Sequence, residues 1–416
     1  MQTPVTSGSR PAEVVAPTVI EHPGFDGVPE AHWEMLNCEG GLFTSRRFMT
    51  ALECVEPAPD STVKVFEARG YPGAALPVAA LPCFGVPTGG GGRYDAAALV
   101  RSILPDAALP GQPRSLLLGA RAGYQNRMLV APGLPLEESA SAVRALVDAA
   151  VRQPTEGPPP ICTIPYLDTA NARLVRAALP DYGHLALAAG DAVIDLPEGG
   201  LEGYINGLQQ RRRTRIRREM RQFAESPCEI TQAPLGEVCG ELAGLLVQNL
   251  RKYGDGVDER VLADMFRRYG EVLGDDVQVI LARLDGRAVA YVSLYRWKQA
   301  LYARSWGGDP QVARDAALYF NLVYYEPIRM AARLGVSALH LGILAYEAKV
   351  LRGARLEPRW TLLAHPNLCH ADFTRALARW NSEQLAALQA WTPPGLLDPD
   401  DVLFTNKEIP RALPTG

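Results

Sequence analysis

The stretch LYARSWGGDPQVARDAALYFNLVYYEPIRMAARLGVSALHLGILAYEAKVLRGARLEPRWTLL (301–363) decides the fold. Residues 301–306 read as a short aromatic strand. GGDP (307–310) breaks it. Ala316, Phe320, Val323, Pro327, Ala331 and Leu334 then recur at helical spacing, which predicts one buried helical face. Gly335 is the natural stop for that helix. Residues 337–341 read as a strand, 346–352 as a helical turn or two, and 357–363 as a last strand. The order strand, helix, strand, short helix, strand predicts an α/β (α+β) fold with mixed sheets flanked by helices.

Upstream of this stretch, 277–284 and 287–297 flank Asp285-Gly286 and predict a hairpin with a type I′ turn. The strand at 301–306 is its third antiparallel member. Helices are expected over 236–251, with Leu242, Leu245, Leu246 and Leu250 buried, and over 261–269. Residues 201–225 read as one long helix. Its centre, QQRRRTRIRREMR (209–221), carries Arg211, Arg212, Arg213, Arg215, Arg217, Arg218 and Arg221 with a single glutamate. Seven like charges at that density repel one another unless something anionic is near. A solvated surface helix is the plain alternative; contact with RNA phosphate or a cofactor phosphate is the functional one.

The N-terminal half repeats the element order. Strands are expected at 63–69 and 75–82, paired around Gly70-Tyr71-Pro72-Gly73, at 115–119 and at 128–130. Helix 136–151, strand 161–166, helix 169–179 capped by Asp168 or Thr169, and short strands 185–188 and 192–196 follow. Thus 136–196 and 314–363 share a pattern of helix, strand, helix, strand, each after a meander of strands. The loop RAGYQNR (121–127) either lines a pocket or is an ordinary turn. The four glycines of PTGGGGR (87–93) lack the spacing of a phosphate loop and read as a plain loop.

Composition sets the outer limits. The chain has 416 residues, enough for about two domains. It is 47% hydrophobic and 21% charged, as in a soluble globular protein. No apolar run approaches the ~18 residues of a membrane span. The first residues lack a signal-peptide pattern and read as a disordered leader. Seven scattered cysteines with no CxxC pair indicate free thiols in a reducing cytoplasm. No HExxH, HxH or spaced carboxylate cluster suggests a metal. The net charge of -4 excludes a basic surface overall, so any polyanion contact must be local.

These residues carry a family likeness. VIDL (193–196) and Tyr204 precede the basic helix RRRTRIRRE; the Asp285-Gly286 hairpin follows. Then come YARSWG (302–307), 319–332, Gly335, HLG (340–342), Tyr346, Lys349, RGAR (352–355) and Trp360. This pattern resembles the Fem-type (FemABX-like) aminoacyl-tRNA-dependent transferases and related peptidoglycan-biosynthesis proteins. It covers about 190–363 well, and the N-terminal half by architecture.

The resemblance implies two tandem GNAT-like domains, at 29–196 and 197–365, after a leader at 1–28 and before an extension at 366–416. The boundary falls near 196–203, and the basic helix spans 208–224. It further implies cytoplasmic transfer of an aminoacyl group from aminoacyl-tRNA to a small-molecule amine or hydroxylamine, with no covalent enzyme intermediate and no cofactor. The alternatives are an acyl-CoA-dependent N-acyltransferase and a non-catalytic RNA-binding module. The acetyl-CoA pattern wants a glycine-rich loop before the long helix, whereas GGDPQVAR (307–314) has two glycines and an acid. The coiled-coil arm of some Fem proteins is absent, its place taken by the basic helix.

Ester aminolysis needs positioning, a base and oxyanion stabilisation. His340 and Glu347 are the candidate bases. Lys349 stands where the family often places a lysine, and with Arg352 would serve the oxyanion or the donor's terminal phosphate. Tyr319 and Tyr324 would hydrogen-bond the acceptor or supply a proton. Arg304 and Trp306 would hold a carboxylate and stack on an adenine. Each has a plainer reading: an exposed helix lysine, a structural histidine, core aromatics, a Glu347–Arg304 ion pair.

Overall fold

Asp285 and Gly286 take φ of 51° and 77°. A type I′ turn demands positive φ at both central residues. The hairpin it closes is the expected one, and the sheet extends from it. The computed structural model describes residues 16–38, 40–55, 63–70, 73–86, 94–107, 109, 115–152, 159–251, 257–392 and 403. The loop at 87–93 therefore lies outside the described residues.

In chain order the strands are β1 (Thr18–His22), β2 (Val63–Arg69), β3 (Ala79–Val86), β4 (Ser115–Leu118), β5 (Leu129–Val130), β6 (Ile161–Leu167), β7 (Gly183–Asp195), β8 (Glu229–Pro234), β9 (Val277–Leu284), β10 (Arg287–Trp297), β11 (Ala300–Gly308), β12 (Ala338–Gly342) and β13 (Arg355–Ala364). The helices are α1 (Glu30–Leu36), α2 (Arg46–Val55), α3 (Ala96–Ile103), α4 (Leu136–Val151), α5 (Thr169–Ala178), α6 (Gly200–Gly207), α7 (Gln210–Ala224), α8 (Cys239–Arg251), α9 (Glu259–Leu273), α10 (Pro310–Asp315), α11 (Leu318–Phe320), α12 (Glu326–Leu334), α13 (Tyr346–Val350) and α14 (Ala371–Gln389).

The strands form one mixed sheet in the order β1-β2-β3-β4-β6-β13-β7-β12-β11-β10-β9-β8, with β5 beside β3. The expected α/β architecture of two like halves is present, but the halves exchange strands. β13, from the second half, lies antiparallel between β6 and β7. β7, from the first half, lies antiparallel between β13 and β12. Each half also has one short parallel pair: 115–117 with 161–163, and 300–302 with 338–340. Beyond those residues β11 and β12 splay apart. Tyr124, from the loop at 121–127, enters that gap and donates to the Ala303 carbonyl at 3.4 Å. Gly342, at φ 75°, leaves it room: a Cβ there would sit 3.0 Å from the Tyr124 ring.

One face of the sheet packs against α4, α5 and α12 through Val143, Leu146, Val175, Ile328 and their neighbours. The other face buries Phe43, Phe48, Phe266 and Tyr291 between the sheet and α2, α8 and α9. Each such large side chain removed from water contributes about 2 kcal/mol. Within the extension, α14 docks on β7, where the Asn381 side chain bonds Leu187 N and Leu185 O at 2.8 and 2.9 Å.

Several expected elements differ. β1 falls inside the stretch read as a leader and pairs with β2. β3 starts at Ala79, four residues after the expected start at 75. β7 is one strand where two were expected, because β13 pairs with it along one side and carries it through the poor strand formers Ala189 and Gly190. The expected helix over 201–225 breaks at Leu208, which is extended, between α6 and α7. The helix over 314–334 is interrupted by Ala317, left-handed at φ 50°, and by a π-helical turn at Asn321–Tyr325. π-turns inside helices concentrate at functional sites.

Candidate functional site

Two clefts flank the sheet, one at each end of β11. The larger, about 720 Å³, lies where β11 runs out into α10. Trp306, Tyr319 and Phe320 form its aromatic lining, Glu347 and Arg352 stand on one side, and Arg215, Arg218 and Gln222 of α7 form a wall. Trp306 and Tyr319 meet edge to face, with ring centroids 5.2 Å apart.

The basic helix is fixed to this cleft by its polar exceptions. Glu219, the one acid in the arginine run, accepts from Arg352 Nη2 at 2.5 Å and from the Tyr325 hydroxyl. Gln222 donates to the Arg314 and Asp315 carbonyls at 3.1 and 2.9 Å. Ile216 is the only fully buried side chain of α7, with Met220 and Phe223 half-buried beside it. Arg211, Arg215, Arg217, Arg218 and Arg221 are exposed, and among the described residues none of them has a carboxylate partner. Arg213 donates to Gln210 and to the Asn206 carbonyl; Arg212 is half-buried.

Asp309 decides what the start of α10 can bind. Its carboxylate accepts from Gln311 N at 2.9 Å and Val312 N at 3.2 Å. The N–H groups that a pyrophosphate would use are thereby taken by a carboxylate.

Of the remaining sequence candidates, Arg352 is 2% exposed, its guanidinium 3.5 Å from the Phe320 ring centroid, so it holds α7 and the cleft floor together. Lys349 is 4% exposed and donates to the Gly342 and Ile343 carbonyls at 2.8 and 3.0 Å. It clamps a turn whose residues Gly342, Leu344 and Ala345 all have positive φ. The exposed helix lysine of the plainer reading is not found. Tyr324 is fully buried. Arg304 does not pair with Glu347: its guanidinium lies over the Phe43 ring at 4.9 Å, on the opposite face of the sheet from the Trp306 cleft.

His340 lies in the other cleft, of about 600 Å³, at the junction of the two halves. Its Nδ1 is 3.0 Å from Asp191 Oδ2, and Tyr302 stacks on the imidazole at 4.5 Å with ring planes 6° apart. Asp191 is fully buried. Its Oδ2 also accepts from Gln125 Nε2 at 2.7 Å and Arg359 Nη2 at 2.9 Å. Burial alone would raise the Asp191 carboxyl, but Arg359, His340 and Gln125 outweigh it and hold it at about 2.

Sequence reasoning passed over Asp191 and Arg359; Gln125 belongs to the loop at 121–127, read as either pocket lining or an ordinary turn, and Gln125, Asn126 and Arg127 line this cleft. The signal was there in part: AAGDAVID and EPRWTLL each place a charge inside an apolar strand, and such charges are seldom buried unless paired. Among the described residues no group of three or more His, Cys, Asp or Glu is placed to hold a metal ion. Nor is any helix among them long and apolar enough to cross a membrane.

Residues 198–392 match the FemAB-like family, described as peptidoglycan biosynthesis/recognition. The fold is similar to that of FemX, with a TM-score of 0.54 at 9% identity over 80% of this chain and 96% of that one. A conserved protein of unknown function from Bacteroides thetaiotaomicron VPI-5482 aligns with a TM-score of 0.49, 12% identity, and 81% and 97% coverage. A tandem GNAT protein from the clavulanic acid biosynthesis pathway aligns at 0.48, 11% identity, and 84% and 98% coverage. No curated protein matches the chain in sequence.

Proposed function

We propose, from the match of residues 198–392 to the FemAB-like family, that the protein is a transferase that moves an aminoacyl group from aminoacyl-tRNA to a small-molecule amine or hydroxylamine in the cytoplasm. One observation carries this reading: the arginine-rich helix is a wall of the same cleft that holds Trp306, Tyr319 and Glu347. RNA in the A form offers proteins its phosphates and 2′-hydroxyls, and its unpaired ends offer bases for stacking. Arg215, Arg218 and Arg314 would meet the phosphates of the acceptor end. The Trp306–Tyr319 pair would meet the terminal base.

In this cleft Glu347 is the exposed carboxylate. The acceptor amine attacks the ester carbonyl, Glu347 takes its proton, the bond from the carbonyl carbon to the ribose oxygen breaks, and the proton passes to that oxygen. Lys349 and Arg352 act by holding the turn and helix that carry the cleft, since both are buried and bonded within the protein.

The acyl-CoA alternative is disfavoured by Asp309, whose carboxylate occupies the backbone donors a pyrophosphate would need. Incubation with mixed charged tRNAs or acyl-CoAs, with and without ribonuclease, tests the choice. Ribonuclease-sensitive transfer is expected. Ribonuclease-insensitive turnover of an acyl-CoA would refute it, and tRNA binding without transfer would leave the RNA-binding module.

A further inference from the structure

The cleft beneath α7 uses only part of the arginine run. Arg215 and Arg218 line it, whereas Arg211, Arg217 and Arg221 do not. All five are exposed, and among the described residues none of their guanidinium groups has a hydrogen-bond or ion-pair partner. Like charges this close repel one another, so the fold gains nothing by setting them side by side. Their order around the helix is informative. At the pitch of an α-helix, Arg215, Arg218, Arg221 and Arg217 succeed one another at steps of about 60°, 60° and 40°. The belt starts in the cleft and ends about 160° round, on the side of α7 turned away from it. Between its ends lie exposed Gln210 and Thr214. The apolar residues Ile216, Met220 and Phe223 occupy the remaining sector, against the core.

The two ends of the belt meet different surroundings. In the cleft, Trp306 and Tyr319 stand beside Arg215 and Arg218. Aromatic faces next to cations suit unpaired bases with their phosphates. The outward end has guanidinium groups, an amide and a hydroxyl, with no aromatic or aliphatic side chain among them. A helix that lies on a membrane needs an exposed apolar stripe, and a protein interface needs an apolar centre. The outward end has neither. It suits a polyanion that shows its phosphates and hides its bases, which describes a base-paired A-form RNA stem. Arginine's planar fork matches a phosphate with two donors at once. We propose that Arg217 and Arg221 hold the base-paired stem of an RNA whose unpaired 3′ end lies in the cleft, so that α7 straddles the step from duplex to single strand. The inference rests on the RNA reading given above and adds the form of the partner: a stem and an unpaired end on one molecule, each gripped by its own arginines.

The test uses the full chain and three fluorescent RNAs, with affinity measured by anisotropy over a range of salt. One is a short single strand ending in CCA, one a stem-loop carrying that overhang, and one the same stem-loop with a blunt end. The unaltered protein should bind the overhung stem-loop more tightly than either part. Arg217→Gln with Arg221→Gln should weaken both stem-loops by about tenfold or more. It should lower their salt slope by roughly 1.5, at about 0.7–0.9 per lost phosphate contact, and leave the single strand's affinity unchanged. A stem that adds no affinity in the unaltered protein, or a double variant that binds stem-loops as tightly as the unaltered protein, would overturn the inference. In both cases binding of the single strand would leave the RNA reading standing. Binding of none of the three would remove both. Vesicles of phosphatidylglycerol and phosphatidylcholine are the control: vesicle binding that the double variant loses, without any binding of stems, would assign the outward arginines to a membrane surface instead. Should the double variant fail to fold, the comparison of the three RNAs on the unaltered protein still decides.

Discussion

At the residue scale, the buried charges set how the protein responds to acid. Asp191 has an ordinary value of 3.8 and is held at about 2 in the fold. A depressed carboxyl contributes stability that is complete above its unfolded value and lost as pH falls through the folded one. Asp191 should therefore contribute about 2 kcal/mol at pH 7, lost between about pH 4 and pH 2. His184 acts in a higher window. Burial, then Arg176 and His370, push it from 6.5 to about 4. Its neutral form stabilises the fold fully above 6.5, and that contribution, about 3 kcal/mol, drains away as pH falls toward 4. Urea unfolding at a series of pH values should show stability declining from near neutrality downward. His184→Gln should flatten the upper part of the decline. Asp191→Asn should flatten the lower part and cost about 3 kcal/mol at pH 7, because Arg359 stays buried with Glu357 as its remaining carboxylate partner. A decline confined to pH below about 4 would contradict the His184 window, and no further decline between about pH 4 and pH 2 would contradict that of Asp191.

At the scale of elements, α7 shows how much a sequence reveals and where it stops. The charge run and the helix were legible because seven arginines with Ile216, Met220 and Phe223 allow little else. Which arginines face the cleft was not, since rotation about the helix axis is fixed by Glu219 and Gln222 bonding to residues about 90 to 130 positions away. The same holds for the candidate site. Trp306, Tyr319 and Glu347 do share one cleft, but His340 lines the other, and Arg304 falls at a break in the β10–β11 register between Ala303 and Ser305 that takes it off the Trp306 face, which simple alternation would not reveal. Two predictions separate anchor from contact. Glu219→Ala should destabilise the protein by about 3 kcal/mol, by stranding buried Arg352, as read by chemical denaturation. Arg215→Ala with Arg218→Ala should leave stability within about 0.5 kcal/mol per site. It should lower tRNA affinity and reduce the salt slope by roughly 1.5, at about 0.7–0.9 per lost phosphate contact. Wild-type affinity with an unchanged slope would make α7 a solvated face and remove the main support for an RNA donor.

At the scale of the whole molecule, the exchange of β7 and β13 governs how the halves depend on each other. Element order along the chain predicted two like units, and two like units exist, but order says nothing about which half a strand joins. That choice is made by pairings such as Leu356 with Ala192 and Leu362 with Ile164, which are as far as 198 positions apart in the chain. A unit ending at 196 keeps β6 and β7 but loses β13 from between them. A unit starting at 197 keeps β12 and β13 but loses β7, which joins them. Each would expose unpaired strand edges and apolar faces at its centre, the condition that drives aggregation. Residues 1–196 and 197–416 made separately should therefore lack cooperative thermal unfolding by circular dichroism, while the two fragments coexpressed should recover it. The intact chain should unfold in one step, with tryptophan fluorescence and far-ultraviolet dichroism changing together. Trp33 lies on α1 of the first half and Trp306 on β11 of the second, so two resolved transitions, or a fragment that melts cooperatively by itself, would show that the halves are separable domains after all.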